Sequence, residues 1–243
     1  MMNKVVIIDY GIGNIFSVNQ AFKKIGVETF VTSNTQAIEE AKHLVLPGVG
    51  AFHKGMQALH DLELHKTIIK TANKGVPLIG ICLGMQMLLD ESDEFKVTKG
   101  LGLISGRVEK FPKVKDKNNY IKVPQINWHE IAPGVSNISW KNSLLKEHKS
   151  RDSLYFVHSF VAKPSNLDHV LANYNCNGTL TCVFTATNLP LVDPNNQPYN
   201  PDITNVMSYY PCGTYNFTPK QLELMELVLL NEPSRNFLLN SNP

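Results

Sequence analysis

Short apolar runs alternate with helix-like segments along the first 90 residues of the chain. Runs rich in β-branched residues predict strands, and segments with apolar positions three and four residues apart predict amphipathic helices. The predicted strands are 4–9, 27–31, 43–46 and 76–81, and the predicted helices are 15–25, 55–72 and 83–90. This alternation predicts an α/β fold: a parallel sheet covered by helices on both faces. In such sheets functional residues gather at the carboxyl ends of the strands.

A cysteine stands at one of these carboxyl ends. Cys82 lies between Gly80 and Gly84, where the run 76–81 passes directly into helix-forming residues. Glycines on both sides permit a sharp turn, so the pattern is the cysteine counterpart of a nucleophile elbow. The start of a helix favours a thiolate, and the N–H of Leu83 is placed to stabilise an oxyanion. The alternative is a buried, inert cysteine.

A glycine-rich loop follows the preceding strand. Residues 47–52 contain Gly48 and Gly50 and come directly after the predicted strand 43–46. Such a loop can present backbone N–H groups to a developing negative charge, although a plain strand-to-helix turn is the alternative. Because both loops lie at the same edge of the sheet, we expect them to form one pocket.

The middle of the chain has a more strand-like pattern. Residues 101–111 are β-like, and 123–131 predict a strand or turn that carries an exposed aromatic residue, Trp128. Residues 154–161 predict one buried strand with a histidine, His158. A histidine in an apolar strand is either a satisfied core residue or a catalyst, and the core residue is the commoner case.

Composition and charge limit the classes of function. The 23 basic and 21 acidic residues give a formal net charge of +2, which provides no basis for nucleic-acid or membrane binding. The apolar runs are too short for a signal-peptide core or a membrane span, so a cytoplasmic protein is expected. Residues 186–243 differ from the rest: they hold 8 of the 14 prolines and none of the 8 histidines. This shift predicts a boundary in the chain.

Several motifs together resemble a known family. They are Asp9-Tyr10-Gly11-Ile12-Gly13-Asn14, Leu46-Pro47-Gly48-Val49-Gly50-Ala51-Phe52, Gly80-Ile81-Cys82-Leu83-Gly84-Met85-Gln86, Gly106-Arg107-Val108 and Tyr155-Phe156-Val157-His158-Ser159. With them, residues 3 to about 170 resemble the glutaminase subunit of imidazole-glycerol-phosphate synthase, a class I glutamine amidotransferase of histidine biosynthesis. The resemblance implies a flavodoxin-like domain over 1–170.

The resemblance also implies a reaction. Cys82 would attack the side-chain amide of glutamine, form a glutamyl thioester and release ammonia, without a cofactor or metal. The implied oxyanion hole and glutamine pocket consist of Gly48, Gly50 and Leu83, and of Gln86, His158, Ser159 and Phe160. Ammonia would pass to a (β/α)8-barrel cyclase subunit in a heterodimer, giving imidazole-glycerol phosphate and an aminoimidazole carboxamide ribonucleotide. Trp128 would face that partner.

Two features depart from the family pattern. The family usually has Gly-Trp-Asn at the partner interface, where this chain has Asn127, Trp128 and His129. This change leaves open a paralogue that serves surface-sugar amidation. The late Phe-His-Pro-Glu motif, which supplies the base and its orienting carboxylate, is missing, since no histidine follows His169. We therefore expect impaired hydrolysis, with His158 or His169 as replacement base, or a non-catalytic partner-binding subunit.

The last part of the chain resembles a different class of protein. Residues 172–231, and 193–202 and 205–212 above all, resemble the Met-turn region of pappalysin-like metzincin metallopeptidases. Thr218 and Gln221 form a capping box that predicts a helix from Pro219 to about Leu230. The H-E-x-x-H helix that supplies zinc ligands is absent from the sequence. The chain is thus predicted to divide into an amidotransferase domain, 1–170, which is incomplete at its C-terminus, and an unrelated metallopeptidase-like tail, 171–243, joined by fusion, recombination or an assembly error.

Overall fold

A computed structural model shows the arrangement of most of the chain. It describes residues 4–111, 115–116, 119–120, 123–134, 139–143, 145–146, 148–176, 180–188, 191–192, 198–199 and 202–204. The predicted helix from Pro219, Thr218 with its capping box, and the segment 205–212 lie outside the described residues. Within the described part, no helix is long and apolar enough to cross a membrane.

A four-stranded parallel sheet forms the first layer. Its strands are β1 (Val5–Ile8), β2 (Thr29–Thr32), β3 (Leu44–Leu46) and β4 (Leu78–Gly80), in the order β2-β1-β3-β4. The helices of this part are α1 (Ile15–Lys24), α2 (Thr35–Glu39), α3 (Phe52–Asp61), α4 (Leu64–Asn73) and α5 (Leu83–Gln86). The four strands predicted from the sequence are confirmed, and α2 is an additional short helix.

Both faces of the parallel sheet are covered, as predicted. Alternate residues of a strand point to opposite faces. Ile7 on β1 packs in one apolar cluster with the α1 residue Phe22. Its neighbour Ile8 packs in another cluster with Met56 of α3 and Ile68 of α4. Each such fully buried apolar side chain contributes about 1.5–3 kcal/mol of transfer free energy, so the two clusters hold the helices against the sheet.

The single helix predicted over 55–72 is wrong in one respect. The chain forms two helices, α3 and α4, because Glu63 adopts a left-handed backbone conformation with φ of 54°. That conformation interrupts the helical hydrogen bonds between Asp61 and Leu64. The apolar pattern continues across the break, and for this reason it predicted one helix.

A second sheet begins where the helix predicted over 83–90 ends early. Residue Gln86 closes α5, and β5 (Leu89–Ser92) pairs in parallel with β7 (Ile104–Lys110). The prediction of a helix to residue 90 is therefore wrong, because pairing with a distant strand overrides local helix propensity. The short β6 (Thr98–Lys99) completes this part of the sheet.

The strand predicted over 154–161 is split in two, and its halves lie in the second sheet and in a third, antiparallel sheet. The chain turns at Ser159 between β11 (Ser153–His158) and β12 (Phe160–Pro164). The first of these strands pairs with β10 (Gln125–Pro133), while the second pairs with β7 in the second sheet. The turn at Ser159 therefore joins two different sheets, and the prediction of one continuous strand is wrong.

Further strands extend the antiparallel sheet past residue 170, and two short strand pairs lie outside it. The strand β13 (Val170–Cys176) pairs with both β10 and β14 (Leu180–Asn188). The other described strands, numbered in chain order, are β8 (Lys115–Asp116), β9 (Asn119–Tyr120), β15 (Leu191–Val192), β16 (Pro198–Tyr199) and β17 (Asp202–Thr204). One-turn 3-10 helices span Trp140–Asn142 and Leu167–His169. The boundary proposed at residue 170 thus falls at the first residue of a paired strand, and the division of the chain there stays a prediction.

Candidate functional site: a cysteine at a sharp turn facing a cleft

The turn that carries Cys82 has the predicted strand-turn-helix geometry. Cys82 adopts φ 54° and ψ −115°, a conformation that few residues other than glycine occupy. The flanking glycines permit this turn, because a Cβ atom on Gly80 would lie 2.6 Å from the backbone nitrogen of Met85. A Cβ atom on Gly84 would overlap the carbonyl oxygen of Leu46. The glycine spacing therefore has a steric cause on both sides of the cysteine.

The protonation state of Cys82 differs from the prediction. Burial raises the pKa of the Cys82 thiol to about 11, although a hydrogen bond with the Leu83 backbone N–H acts in the opposite direction. The expectation of a thiolate favoured at the start of the helix is therefore wrong for the folded chain. The helix α5 has four residues, and its contribution is smaller than the cost of removing a thiolate from water.

The residues predicted for the pocket surround one cleft with a volume of about 540 Å³. The predicted residues that line it are Gly50, Cys82, Leu83, Gln86, His158, Ser159 and Phe160. The structure thus brings seven of the predicted residues together, drawn from three separate parts of the chain. The expectation that the two loops form one pocket is confirmed by Gly50 and Cys82.

Two of the predicted residues lie apart from this cleft. Gly48 packs beneath it: a Cβ atom there would lie 2.6 Å from the Gly84 nitrogen and 2.8 Å from the Tyr10 hydroxyl oxygen. Trp128 lies on β10 with 45% of its surface exposed, and its ring centroid is 5.5 Å from that of Tyr155. The predicted exposure of Trp128 is confirmed, whereas its contact with a partner stays a prediction.

Both ring nitrogens of His158 are engaged in hydrogen bonds. Nδ1 lies 2.8 Å from the carbonyl oxygen of Phe160, and Nε2 lies 2.6 Å from the hydroxyl oxygen of Tyr174. Burial lowers the pKa of His158 to about 4; the bond to Phe160 acts upward and the nearby His129 acts downward. His158 is therefore neutral at pH 7. This arrangement favours the satisfied core histidine over the replacement base.

The cleft also contains two charged residues that the sequence analysis missed. Glu94 and Lys110 line it, and the Glu94 carboxylate accepts a hydrogen bond of 2.7 Å from the backbone N–H of Phe52. Phe95 lies beside them with 84% of its surface exposed. Local sequence carries no signal for these residues, because they reach the cleft only through the pairing of the second sheet.

A buried tyrosine supports the glycine-rich loop. The Tyr10 hydroxyl donates a hydrogen bond of 2.7 Å to the carbonyl oxygen of Pro47. Burial raises the pKa of Tyr10, and the neighbouring Cys82 adds to this effect. Tyr10 therefore stays protonated as a donor and fixes the first residue of the loop that leads to Gly50. The sequence motif around Tyr10 was recognised, but this role was not.

Replacing Tyr10 by phenylalanine is expected to destabilise the protein by about 1 kcal/mol, because the Pro47 carbonyl loses a buried donor. A loss of this size lowers the melting temperature by about 2–4 °C in a chain of this length. Thermal unfolding of the two proteins measures it. Tyr10→Leu, which also removes the ring, should lose more. An unchanged melting temperature for Tyr10→Phe would contradict a supporting role for the hydroxyl.

The described residues show no cluster for a metal ion. Within them, no group of three or more histidine, cysteine, aspartate or glutamate side chains is arranged to hold one.

Comparison with known proteins gives a consistent match. Residues 6–188 match the family model Glutamine amidotransferase class-I. Imidazole glycerol phosphate synthase subunit HisH 1 of Legionella pneumophila (strain Lens) is 42% identical over 172 residues, which are 71% of this chain and 81% of the relative. Subunit HisH of Geobacillus sp. (strain WCH70) is 40% identical over 167 residues, 69% of this chain and 76% of that relative.

A solved structure shares the fold. A crystal structure described as glutamine amidotransferase superposes with a TM-score of 0.50 at 18% sequence identity, covering 69% of this chain and 78% of the other. At that identity the likeness concerns the fold alone. The match over residues 6–188, together with relatives above 30% identity across most of their length, shows that the chain belongs to the family of class-I glutamine amidotransferases, which are enzymes.

Proposed function

We propose that this chain hydrolyses glutamine and supplies ammonia to a cyclase subunit, for the synthesis of imidazole-glycerol phosphate and aminoimidazole carboxamide ribonucleotide in histidine biosynthesis. The observation that carries the proposal is Cys82, held in a strained turn at the wall of a cleft that also contains Gly50, Leu83 and Gln86. The naming of its relatives as subunits of imidazole glycerol phosphate synthase supports the acceptor pathway. The proposed compartment is the cytoplasm.

The first chemical step is attack on the side-chain amide. The sulfur of Cys82 bonds to the amide carbon of glutamine, and the carbonyl oxygen becomes an oxyanion. The backbone N–H of Leu83 already bonds the sulfur, and that of Gly50 is the second proposed donor. Collapse of this intermediate expels ammonia and leaves a thioester. Water then hydrolyses the thioester to glutamate and restores the thiol.

Within the described part of the chain, the proposed reaction lacks a positioned base for proton transfer. The thiol proton must reach the leaving amide nitrogen, which a positioned base performs in the family. His158 is held neutral with both nitrogens engaged, and the sequence lacks the Phe-His-Pro-Glu motif. We therefore propose that hydrolysis proceeds about 10²–10⁴-fold more slowly than with a base in place.

The two charged residues of the cleft match the two ends of an amino acid. Glutamine carries an ammonium group and a carboxylate on its α-carbon. Glu94 offers a carboxylate to the first, and Lys110 offers an ammonium to the second. A cleft of about 540 Å³ accommodates a ligand of this size. The charges thus favour a free amino acid over a neutral amide as the substrate.

Replacing Glu94 by glutamine is expected to weaken glutamine binding about 10- to 100-fold, the usual effect of losing a hydrogen bond between two charged groups. The introduced glutamine side chain is nearly isosteric with glutamate, and its amide oxygen can still accept the hydrogen bond from the Phe52 backbone N–H. Calorimetric titration of the variant with glutamine measures the dissociation constant. Glu91→Gln, an acidic residue outside the cleft lining, is the matched control. Equal affinity in both variants would refute the role of Glu94.

The proposed function is tested by measuring ammonia and glutamate from the purified chain with the cyclase subunit and its nucleotide ligand. Cys82→Ala is the control. Slow turnover that disappears in this variant supports the proposal. If neither protein forms ammonia, the chain is not a glutaminase, and the second candidate function applies.

That second candidate is a non-catalytic subunit that binds the cyclase. The neutral, hydrogen-bonded His158 favours it, and so does the exposed apolar strip on β10 formed by Ile126 and Trp128, which are 49% and 45% exposed. Because Asn127 and His129 flank Trp128 where the family has Gly and Asn, a surface-sugar amidation partner is the other possibility. A pull-down with each cyclase distinguishes the two, and Trp128→Ala should weaken the interaction that occurs.

We also propose that the part of the 171–243 tail that lies beyond the family match, residues 189–243, derives from a metallopeptidase-like protein and has no zinc site of its own. The sequence resemblance over 172–231 supports this origin. Limited proteolysis followed by mass spectrometry tests the division into two units. Cleavage confined to the region beyond 170 supports it, and cleavage within 1–170 that leaves the tail intact would contradict it.

A further inference from the structure

A chain of three hydrogen bonds runs from the antiparallel sheet to the wall of the cleft. It begins at the Tyr174 hydroxyl, which lies 2.6 Å from Nε2 of His158. Nδ1 of His158 lies 2.8 Å from the Phe160 carbonyl oxygen. The same oxygen accepts a bond of 3.3 Å from the side-chain amide of Gln86. Both Phe160 and Gln86 line the cleft, whereas Tyr174 does not.

The chemistry of these partners fixes the positions of the protons. A carbonyl oxygen only accepts, so Nδ1 of His158 carries the hydrogen that points to Phe160. The ring is neutral at pH 7, so Nε2 is bare and accepts from the Tyr174 hydroxyl. Burial raises the pKa of Tyr174, which keeps this donor protonated. The Phe160 carbonyl therefore selects the Nδ1–H tautomer of His158, and the Tyr174 hydroxyl donates to the nitrogen that this tautomer leaves bare.

The surroundings of Tyr174 hold its hydroxyl in place. Its ring stacks on Phe156 with centroids 4.1 Å apart and on His129 with centroids 4.5 Å apart. Only 1% of Tyr174 is exposed. A side chain confined in this way loses little further entropy when its hydroxyl forms a bond. The packing of the ring thus holds the hydroxyl within hydrogen-bond distance of His158.

We propose that Tyr174 is a positioning residue: its hydroxyl holds the His158 ring in the orientation in which Nδ1–H bonds the Phe160 carbonyl, and thereby fixes that carbonyl and the Gln86 amide at the wall of the glutamine cleft. This inference rests on the proposed function for the identity of the ligand. The turn at Ser159 joins strands of two different sheets, so the hydrogen bonds of His158 and Phe160 hold the wall of the cleft at the point where the sheets diverge. Without the hydroxyl, Nε2 would be a buried acceptor without a partner, which favours a ring that turns away from its position against Phe160.

The test uses nitrogen NMR of the histidine side chains together with glutamine titration. In the native chain, His158 is expected to show a protonated Nδ1 and a bare Nε2. In Tyr174→Phe, the signal of the bare Nε2 should move to that of a nitrogen without a hydrogen bond, and the Nδ1–H signal should shift as the ring turns. In the Cys82→Ala background the dissociation constant for glutamine should rise about five- to tenfold, the effect of one lost hydrogen bond. Tyr155→Phe, a tyrosine on the neighbouring strand, is the control and should leave the His158 signals unchanged.

The outcomes separate this inference from the proposed function. A native His158 with Nε2–H overturns the inference whatever glutamine does, and this measurement needs no variant that might fail to fold. A shift of the Nδ1–H signal in Tyr174→Phe without a change in glutamine affinity also overturns it, because the wall would not depend on the position of the ring. Absence of glutamine binding to Cys82→Ala, with the native tautomer as expected, refutes the proposed function instead.

Discussion

Alkylation of Cys82 by iodoacetamide is expected to be slow at pH 7 and to accelerate about tenfold with each pH unit until about pH 11. Only the thiolate reacts, and burial raises the pKa of this thiol from an ordinary 9.0 to about 11. The difference of about two units means that the folded chain holds about 100-fold less thiolate than the unfolded chain at neutral pH. Folding should therefore protect Cys82 through its ionisation.

Mass spectrometry of the peptide that contains Cys82 measures this rate against pH. The same peptide in guanidinium chloride is the matched control, since it has the same sequence and an ordinary pKa. Comparing folded and unfolded chains at several pH values separates ionisation from access, because access lowers the rate equally at all pH values. A folded rate that levels off near pH 7 would show a stabilised thiolate and contradict the effect of burial.

A protonated resting thiol has a consequence for the proposed reaction. Cys82 must lose its proton after glutamine enters the cleft, because the resting site offers little thiolate. Among the described residues, the Leu83 N–H is the polar group that favours the anion, and it is also a proposed donor to the oxyanion. Attack and proton transfer to the amide nitrogen are therefore coupled, and the missing base affects the first step as much as the departure of ammonia.

Local sequence patterns were sufficient for the parallel sheet and for the turn at Cys82. The strands β1 to β4 are apolar runs between turn residues, and the glycines around Cys82 have direct steric causes. Patterns of this kind report what a residue does with its near neighbours. They predicted that Gly50 and Cys82 meet because strand order places both at one edge.

The errors arise where distant contacts decide. The helix predicted to residue 90 ends at Gln86 because β5 pairs with β7, and the strand through Ser159 splits because its halves join different sheets. Glu94 reaches the cleft by the same tertiary route. The sign of the Cys82 pKa shift was also missed, since the local argument counted the helix and left out burial. The spacing of residues in the sequence does not show how far the fold removes a side chain from water.

Acid is expected to destabilise the folded chain by about 3 kcal/mol through His158. Burial lowers the pKa of this histidine from 6.5 to about 4, a difference of about 2.5 units at 1.36 kcal/mol each. Between these pH values the histidine is protonated in the unfolded chain and neutral in the folded chain, so the free energy of unfolding rises with pH across this window. The contribution is fully present above pH 6.5, falls as the pH drops toward 4, and is constant below that.

Urea unfolding at pH values from 4 to 7.5 measures this effect, with His158→Gln as the comparison. The variant keeps a polar side chain but cannot titrate, so its stability should change less across the window by about 3 kcal/mol. Burial also lowers the pKa of His129, and this histidine is present in both proteins, so the effect of its burial cancels in the difference. Parallel curves for the two proteins would mean that His158 titrates normally when folded. In that case the Tyr174 hydroxyl would have to change from donor to acceptor without cost, because a protonated Nε2 donates a hydrogen bond and no longer accepts one.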